Sequence, residues 1–153
     1  MNQPVVYDKA KYHYEGEYPE DLPDSQAFVH TGMYVGWLLD HEMILDEFLE
    51  FSEKSIAKFR KRKLSPVSIY QEWDGCLIDD MLTPAGNEFS SYYFDPETGR
   101  YFRDYEALLA RDLPTLYHPK FTWDAYDRVC EMIDARYAEW KKKKTKSWWE
   151  FWK

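Results

Sequence analysis

Residues 26–43, QAFVHTGMYVGWLLDHEM, decide how this chain folds. Phe28, Thr31, Val35, Leu38 and Leu39 recur at helical spacing, and Ser25 stands before them as a candidate N-cap. Gly32 and Gly36 lie four apart, on one face of that helix. Gly in a helix interior is about 1 kcal/mol worse than Ala. The pair therefore marks a site where a neighbouring element or a large aromatic side chain comes close.

Helical patterns continue on the C-terminal side. LDEFLEFSEKSIAKFRKRK (45–63) reads as a second helix with Leu45, Phe48, Leu49, Ser52, Ile56 and Phe59 as its stripe. Its acids come first and its bases last, as the helix dipole favours. Ser65-Pro66 and Thr83-Pro84 are N-cap and N1 pairs opening two more helices, and Gly75 stops the first. CLIDDML (76–82) reads as one further helical turn. DPETGRYF (95–102) is turn chemistry flanked by aromatic residues, which predicts a small irregular or hairpin element near 94–103. RDYEALLARDL (103–113) reads as helix and PTLYHPKF (114–121) as loop. The last helix opens at Thr122, with Phe121 and Tyr126 placed for a hydrophobic staple. Upstream, residues 1–24 read as an irregular arm, because YEGEYPEDLPDS (14–25) carries two prolines, a glycine and five acids.

The expectation is a mainly α, single-domain bundle of about six helices. Its core draws on Phe28, Val35, Leu38, Leu39, Phe48, Leu49, Ile56, Phe59, Leu108, Val129 and Ile133. A length of 153 residues with 44% hydrophobic side chains suits one such core. No apolar run approaches the roughly 20 residues of a spanning helix, and the N-terminus has no apolar signal region. Cys76 and Cys130 stand alone, which suits buried thiols in a reducing cytoplasm rather than a disulfide framework.

Charge divides the chain. The net charge is −8, but residues 141–153, KKKKTKSWWEFWK, hold six lysines and one glutamate. The remaining 140 residues hold 14 basic and 27 acidic side chains, a net of −13. Two regions follow: an acidic helical domain over 1–140 and a basic, aromatic extension of the last helix over 141–153. The acidic body disfavours nucleic acid and favours a basic protein partner. The stripe Trp123, Tyr126, Cys130, Ile133, Tyr137, Trp140 runs on through Lys144, Trp148 and Phe151, so the lysines read as the wet face of a long helix; the other reading keeps a break near 145–147, which frees Trp148, Trp149, Phe151 and Trp152 to dock elsewhere. Trp140, Lys143, Lys144, Trp148, Trp149, Phe151 and Trp152 are its candidate contact residues. They would serve docking on the body, self-association, a partner-binding peptide, or contact with the inner membrane surface, the last making the chain a peripheral membrane protein held by its tail.

Catalytic and metal motifs are missing. There is no HExxH, CxxC, HxH or GxSxG pattern and no phosphate-cradling loop. His30 and His41 are eleven residues apart, about 16 Å along one helix, too far to share an ion. Asp40-His41-Glu42 reads as a polar helix end, and Asp79-Asp80 as a solvated edge. No catalytic residue, metal or cofactor is indicated. An enzyme would need an unrecognised site around His30 or His118, using carboxylates of the arm.

The stretch from Tyr7 to Met43, with its Tyr-Glu-Gly, Pro-Glu-Asp-Leu-Pro and Ala-Phe-Val-His-Thr-Gly pieces, resembles the opening of a family of small, functionally uncharacterised bacterial proteins. YQEWDGCLIDDMLTPAGNEFSSYYF (70–94) and LYHPKFTWDAYDRV (116–129) resemble the rest of it, leaving the Lys/Trp tail outside. The members look like acidic proteins of toxin–immunity neighbourhoods. The resemblance brings no reaction, so it implies no catalytic residue here. The −13 body, the high Tyr and Trp content and the missing chemistry point to an interaction module, most concretely an acidic immunity-type protein that binds a basic toxin or other basic partner. Tyr12, Tyr14, Tyr18, Glu20, Asp21, His30 and Trp37 are the candidate partner-binding residues, as an aromatic and acidic surface around the arm.

Overall fold

Every residue of helix α2 (Val29–Asp40) from Val29 to Leu39 is buried. It has no wet face, so the rest of the chain must wrap it. The computed structural model describes residues 3–151, apart from the side chains of Ser147, Trp148 and Phe151. Two neighbours press on α2 at its glycines. A Cβ on Gly32 would lie 2.8 Å from the Val67 Cα. One on Gly36 would lie 2.7 Å from the Tyr126 ring and 2.8 Å from the Pro66 Cβ. The missing side chains thus admit α5 (Pro66–Glu72) and Tyr126 of α8 (Trp123–Phe151). Ser25 is not the cap of α2. A 3-10 turn over Asp24–Phe28 runs directly into it.

The chain is mainly α-helical, with eight α-helices and one two-stranded antiparallel sheet among the described residues. The arm is more ordered than its composition suggests. It forms β1 (Val6–Lys9) and α1 (Ala10–Tyr14). β1 pairs with β2 (Cys76–Ile78), with Asp8 opposite Leu77 and Lys9 opposite Cys76. The expected helical turn at 76–82 is therefore a strand followed by a 3-10 turn at Asp79–Met81. Strand pairing across some seventy residues leaves no local signature; only the β-branched Val5-Val6 hints at it.

The long helix expected over 45–63 is two, α3 (Asp46–Phe51) and α4 (Glu53–Arg60). The break falls at Ser52, which is buried and whose Oγ accepts a 2.9 Å hydrogen bond from Trp73 Nε1. Local start signals held up better. Ser65 caps α5 by accepting from Ser68 N–H, and Thr83 caps α6 (Pro84–Tyr93) by accepting from Gly86 N–H. Thr122 caps α8 by accepting from Ala125 N–H, with the Phe121 and Tyr126 rings 6.3 Å apart. The hairpin expected near 94–103 does not form. Gly99, at φ +60°, turns the chain into α7 (Arg100–Leu109), and Tyr101 and Phe102 pack on Phe94 as helical residues. A left-handed turn beside aromatic residues fits either a hairpin or a helix start, and packing selects the latter.

Of the expected core, Val35, Leu38, Leu39, Ile56, Phe59, Val129 and Ile133 are buried, while Phe28, Phe48, Leu49 and Leu108 pack half-buried around them. The centre is aromatic: Tyr34, Trp37, Phe89, Tyr93, Tyr101 and Tyr105 are fully enclosed. α8 runs unbroken, about 43 Å at 1.5 Å per residue. Tyr137 and Trp140 lie against Phe89, at 5.0 and 5.6 Å between ring centroids, and residues 141–146 are exposed. Lys144 pairs with Glu88, and the Lys143 ammonium sits over Tyr92. Trp149 is 62% exposed. The tail assignments to Trp148, Phe151 and Trp152 lie outside the described side chains. Among the described residues no helix is long and apolar enough to cross a membrane.

Two outcomes follow. Gly36→Ala should destabilise the chain by about 1–3 kcal/mol through overpacking against Tyr126 and Pro66, read as a lowered urea midpoint. Stability should also fall steeply above pH 9. Burial raises the hydroxyl pKa of Tyr34, Tyr70, Tyr93, Tyr101, Tyr105 and Tyr126, and pushes the Cys130 thiol up to about 12. The folded state holds these protons more tightly, so its advantage is complete below the unfolded values, about 8.5 for Cys and 10 for Tyr, and is lost as pH rises beyond them. Urea unfolding at pH 8, 9.5 and 11 measures the slope.

Candidate functional site

Two adjoining segments of the arm, β1 and α1, meet the start of α2 at one point. The β1 register turns Asp8 inward opposite Leu77, so its carboxylate is only 5% exposed. The strand passes directly into α1, which brings His13 back over Asp8. His30, on the first turn of α2, completes the group at 1% exposure. One donor atom from each of the three lies within 4.8 Å of the other two.

The hydrogen bonds assign most of the protons. Thr31 Oγ1, buried on α2, donates to Asp8 Oδ2 at 2.6 Å. His13 Nε2 lies 2.8 Å from Asp8 Oδ1. An ionised carboxylate can only accept, so this nitrogen carries a proton. His13 Nδ1 lies 2.7 Å from the Tyr117 hydroxyl, which donates to it when the ring is neutral. Burial by itself raises the pKa of Asp8, but the His13 hydrogen bond and the adjacent His30 ring outweigh it, holding the carboxyl well below the usual carboxylate range.

His30 is different. Neither of its ring nitrogens has a hydrogen-bond partner. Nε2 sits 3.6 Å from Asp8 Oδ2, an electrostatic contact longer than a hydrogen bond. Burial pushes the ring toward its neutral form against the pull of Asp8. The imidazole edges meet at 4.7 Å between centroids, and Phe102 packs on both, at 5.9 Å from His13 and 5.3 Å from His30. An unpaired buried polar group is destabilising by about 1–3 kcal/mol. Two imidazoles and a carboxylate in a dry aromatic shell can hold a proton, a charge or a metal ion. The sequence pattern suggested no metal ligand set; the fold brings Asp8, His13 and His30 close enough that they could hold an ion. Asp8 and His13 were missed; their only trace is the spacing within YDKAKYH (7–13).

The candidate partner-binding residues do not share a surface. His30 and Trp37 are enclosed, and Trp37 Nε1 donates to Asp134 on α8 at 2.9 Å. Tyr14 stacks on Phe28, and Tyr18 donates to the Pro23 carbonyl beside Tyr117. Tyr12, at 57% exposure, and Glu20 face solvent. Asp21 reaches His118 Nε2 at 3.3 Å. His30 and His118 thus each have a carboxylate of the arm, but in separate places.

The sequence profile of DUF7832, a domain of unknown function, matches residues 6–119. The chain belongs to the DUF7832 family. No curated protein and no solved structure matches it. The DUF7832 match opens two residues before Asp8 and closes two residues after Tyr117, so it contains the whole cluster and excludes α8.

A second feature lies on the other side of the same β-ribbon. Between α3, α5 and β2 a groove is floored by Phe48, Phe51, Trp73, Ile78 and Met81, with Cys76 at one side. Its charged lining residues are Glu47 and Glu72, both acidic. Phe51 is 71% exposed.

Thr31→Val keeps the shape of the side chain and removes the hydrogen-bond donor to a buried carboxylate. The expected loss is about 1.5–3 kcal/mol of stability, measured by urea unfolding. In a double-mutant cycle with Asp8→Asn the two changes should couple by more than about 0.5 kcal/mol. Additive effects would show that the network does not act as a unit.

Proposed function

We propose that this chain is a non-catalytic interaction module that binds a basic protein, an immunity-type logic in which an acidic body covers a basic partner. The observation that carries the reading is the groove between α3, α5 and β2. Its floor is apolar, its two charged lining residues are glutamates, and Phe51 stands open at its edge. A cationic partner would be steered by the −13 body over long range. An apolar or aromatic side chain of that partner would anchor between Phe48, Phe51 and Trp73, where desolvation concentrates binding energy. This surface takes the place of the one expected around Tyr12 and Trp37. Two unpaired cysteines suit such a protein in a reducing cytoplasm.

A labelled synthetic helix with lysines on one face and leucine and tryptophan on the other serves as the probe, read by fluorescence anisotropy. Binding should weaken at least tenfold in Phe51→Ser/Glu47→Lys/Glu72→Lys and should fall with salt. An acidic helix of the same apolar face should not bind. Equal affinity for the variant, or for the acidic probe, would refute the reading. Concentration-dependent dimerisation lost in the same variant would instead assign the groove to a second copy.

A further inference from the structure

We propose that Asp8, His13 and His30 bind one divalent transition-metal ion of the zinc class, which clamps the N-terminal arm onto α2. The donor set is two imidazole nitrogens and one carboxylate, contributed by α1, α2 and β1. A four-coordinate ion with bonds of 2.0–2.1 Å sets its ligand atoms about 3.3 Å apart. His13 Nε2 lies 2.8 Å from Asp8 Oδ1 and His30 Nε2 lies 3.6 Å from Asp8 Oδ2. One donor atom from each residue lies within 4.8 Å of the other two, so side-chain rotation on binding draws the three together.

The second, independent observation is His30. It is 1% exposed, its Nε2 faces the Asp8 carboxylate at 3.6 Å, beyond hydrogen-bond distance, and neither of its nitrogens has a hydrogen-bond partner. A buried polar atom in a folded protein is normally paired. Coordination gives the Nε2 lone pair a partner that no side chain supplies.

Two of the three candidate ligands, His13 and Asp8, have outer-shell partners of the kind found around metal sites; His30 Nδ1 has none. Ligating histidines are held by a partner on the other ring nitrogen, and ligating carboxylates by hydrogen bonds of their own. Tyr117 sits 2.7 Å from His13 Nδ1, and Thr31 donates to Asp8. On binding, the His13 ring proton transfers from Nε2 to Nδ1. The Tyr117 oxygen then accepts that N–H, and the lone pair of Nε2 passes to the ion. No proton is lost overall when the ring begins neutral. Nitrogen donors select zinc-class ions over magnesium and calcium, which need oxygen ligands. Phe102 packs against both rings, and with three protein ligands the fourth position of a tetrahedral ion falls to a water molecule. Neither cysteine belongs to the set, so the site is free of sulfur.

The test uses the full chain without a histidine tag, in a Cys76→Ser/Cys130→Ser background, stripped with chelator and titrated calorimetrically with zinc. One zinc per chain is expected, with a raised melting temperature. His30→Gln and Asp8→Asn should each weaken binding at least about 100-fold. Tyr117→Phe, which leaves the ligands in place, should weaken it about tenfold. Cobalt in the same protein should show d–d bands of a nitrogen and oxygen site. The proposal fails if the stripped chain binds no zinc, if binding survives His30→Gln, or if magnesium or calcium competes at equal concentration. Should the ligand variants not fold, the stoichiometry and cobalt spectrum of the unsubstituted site decide. All readings are made without a protein partner, so they stand apart from the fate of the groove.

Discussion

A helix buried on every side is the constraint on which this protein is built. α2 carries Met33, Tyr34, Val35, Trp37 and Leu38 at zero exposure, pointing in all directions. Such a helix can be stable only if other elements enclose it. The glycines at 32 and 36 let α5 and Tyr126 come within backbone contact distance on one side. On another, the Tyr101 hydroxyl of α7 donates to the His30 carbonyl at 2.5 Å. The far end is tied by Trp37, His41 and Asp40 to Asp134 and Tyr126 of α8. The long C-terminal helix is thus held by the same core that the family match covers.

The aromatic wealth of the chain serves this enclosure. Tyr34 donates or accepts with Ser90, Tyr93 donates to Asp104, Tyr126 to Asp40 and Tyr7 to Asn87. Tyrosine fills volume as phenylalanine does, while its hydroxyl reaches a polar group at the margin of the core. High Tyr content in this sequence is therefore mostly internal architecture. Among the described residues, exposed large apolar side chains are few, Phe51 and Tyr12 among them.

The Asp8 cluster and the acidic groove meet through the β1–β2 ribbon. Pleating sends alternate residues to opposite sides. Asp8 and its cross-strand neighbour Leu77 face the core, while Cys76 and Ile78 face the groove. Anchoring β1 by Asp8 therefore also fixes β2, which forms one wall of the groove. Nothing in the linear spacing of these residues announces the connection. His13 and His30 are separated by an acidic, proline-containing loop that reads as irregular, and Asp8 precedes an ordinary Lys-Ala-Lys run.

By itself the sequence determined what depends on neighbours within about a turn of helix. The helical class and the caps at Ser65, Thr83 and Thr122 were legible, because each rests on a side chain and the backbone a few residues away. Gly32 and Gly36 announced a close approach, but only the fold supplied Val67, Pro66 and Tyr126 as the groups that come close. Tertiary structure alone decided the β-ribbon, the break at Ser52, the burial of His30 and Trp37, and the meeting of Asp8 with two histidines. Each of these needs a partner far along the chain: Leu77 for Asp8, Trp73 for Ser52, Asp134 for Trp37. A strand pair or a buried polar contact is fixed by the complementarity of both partners, and only folding brings the second one into range.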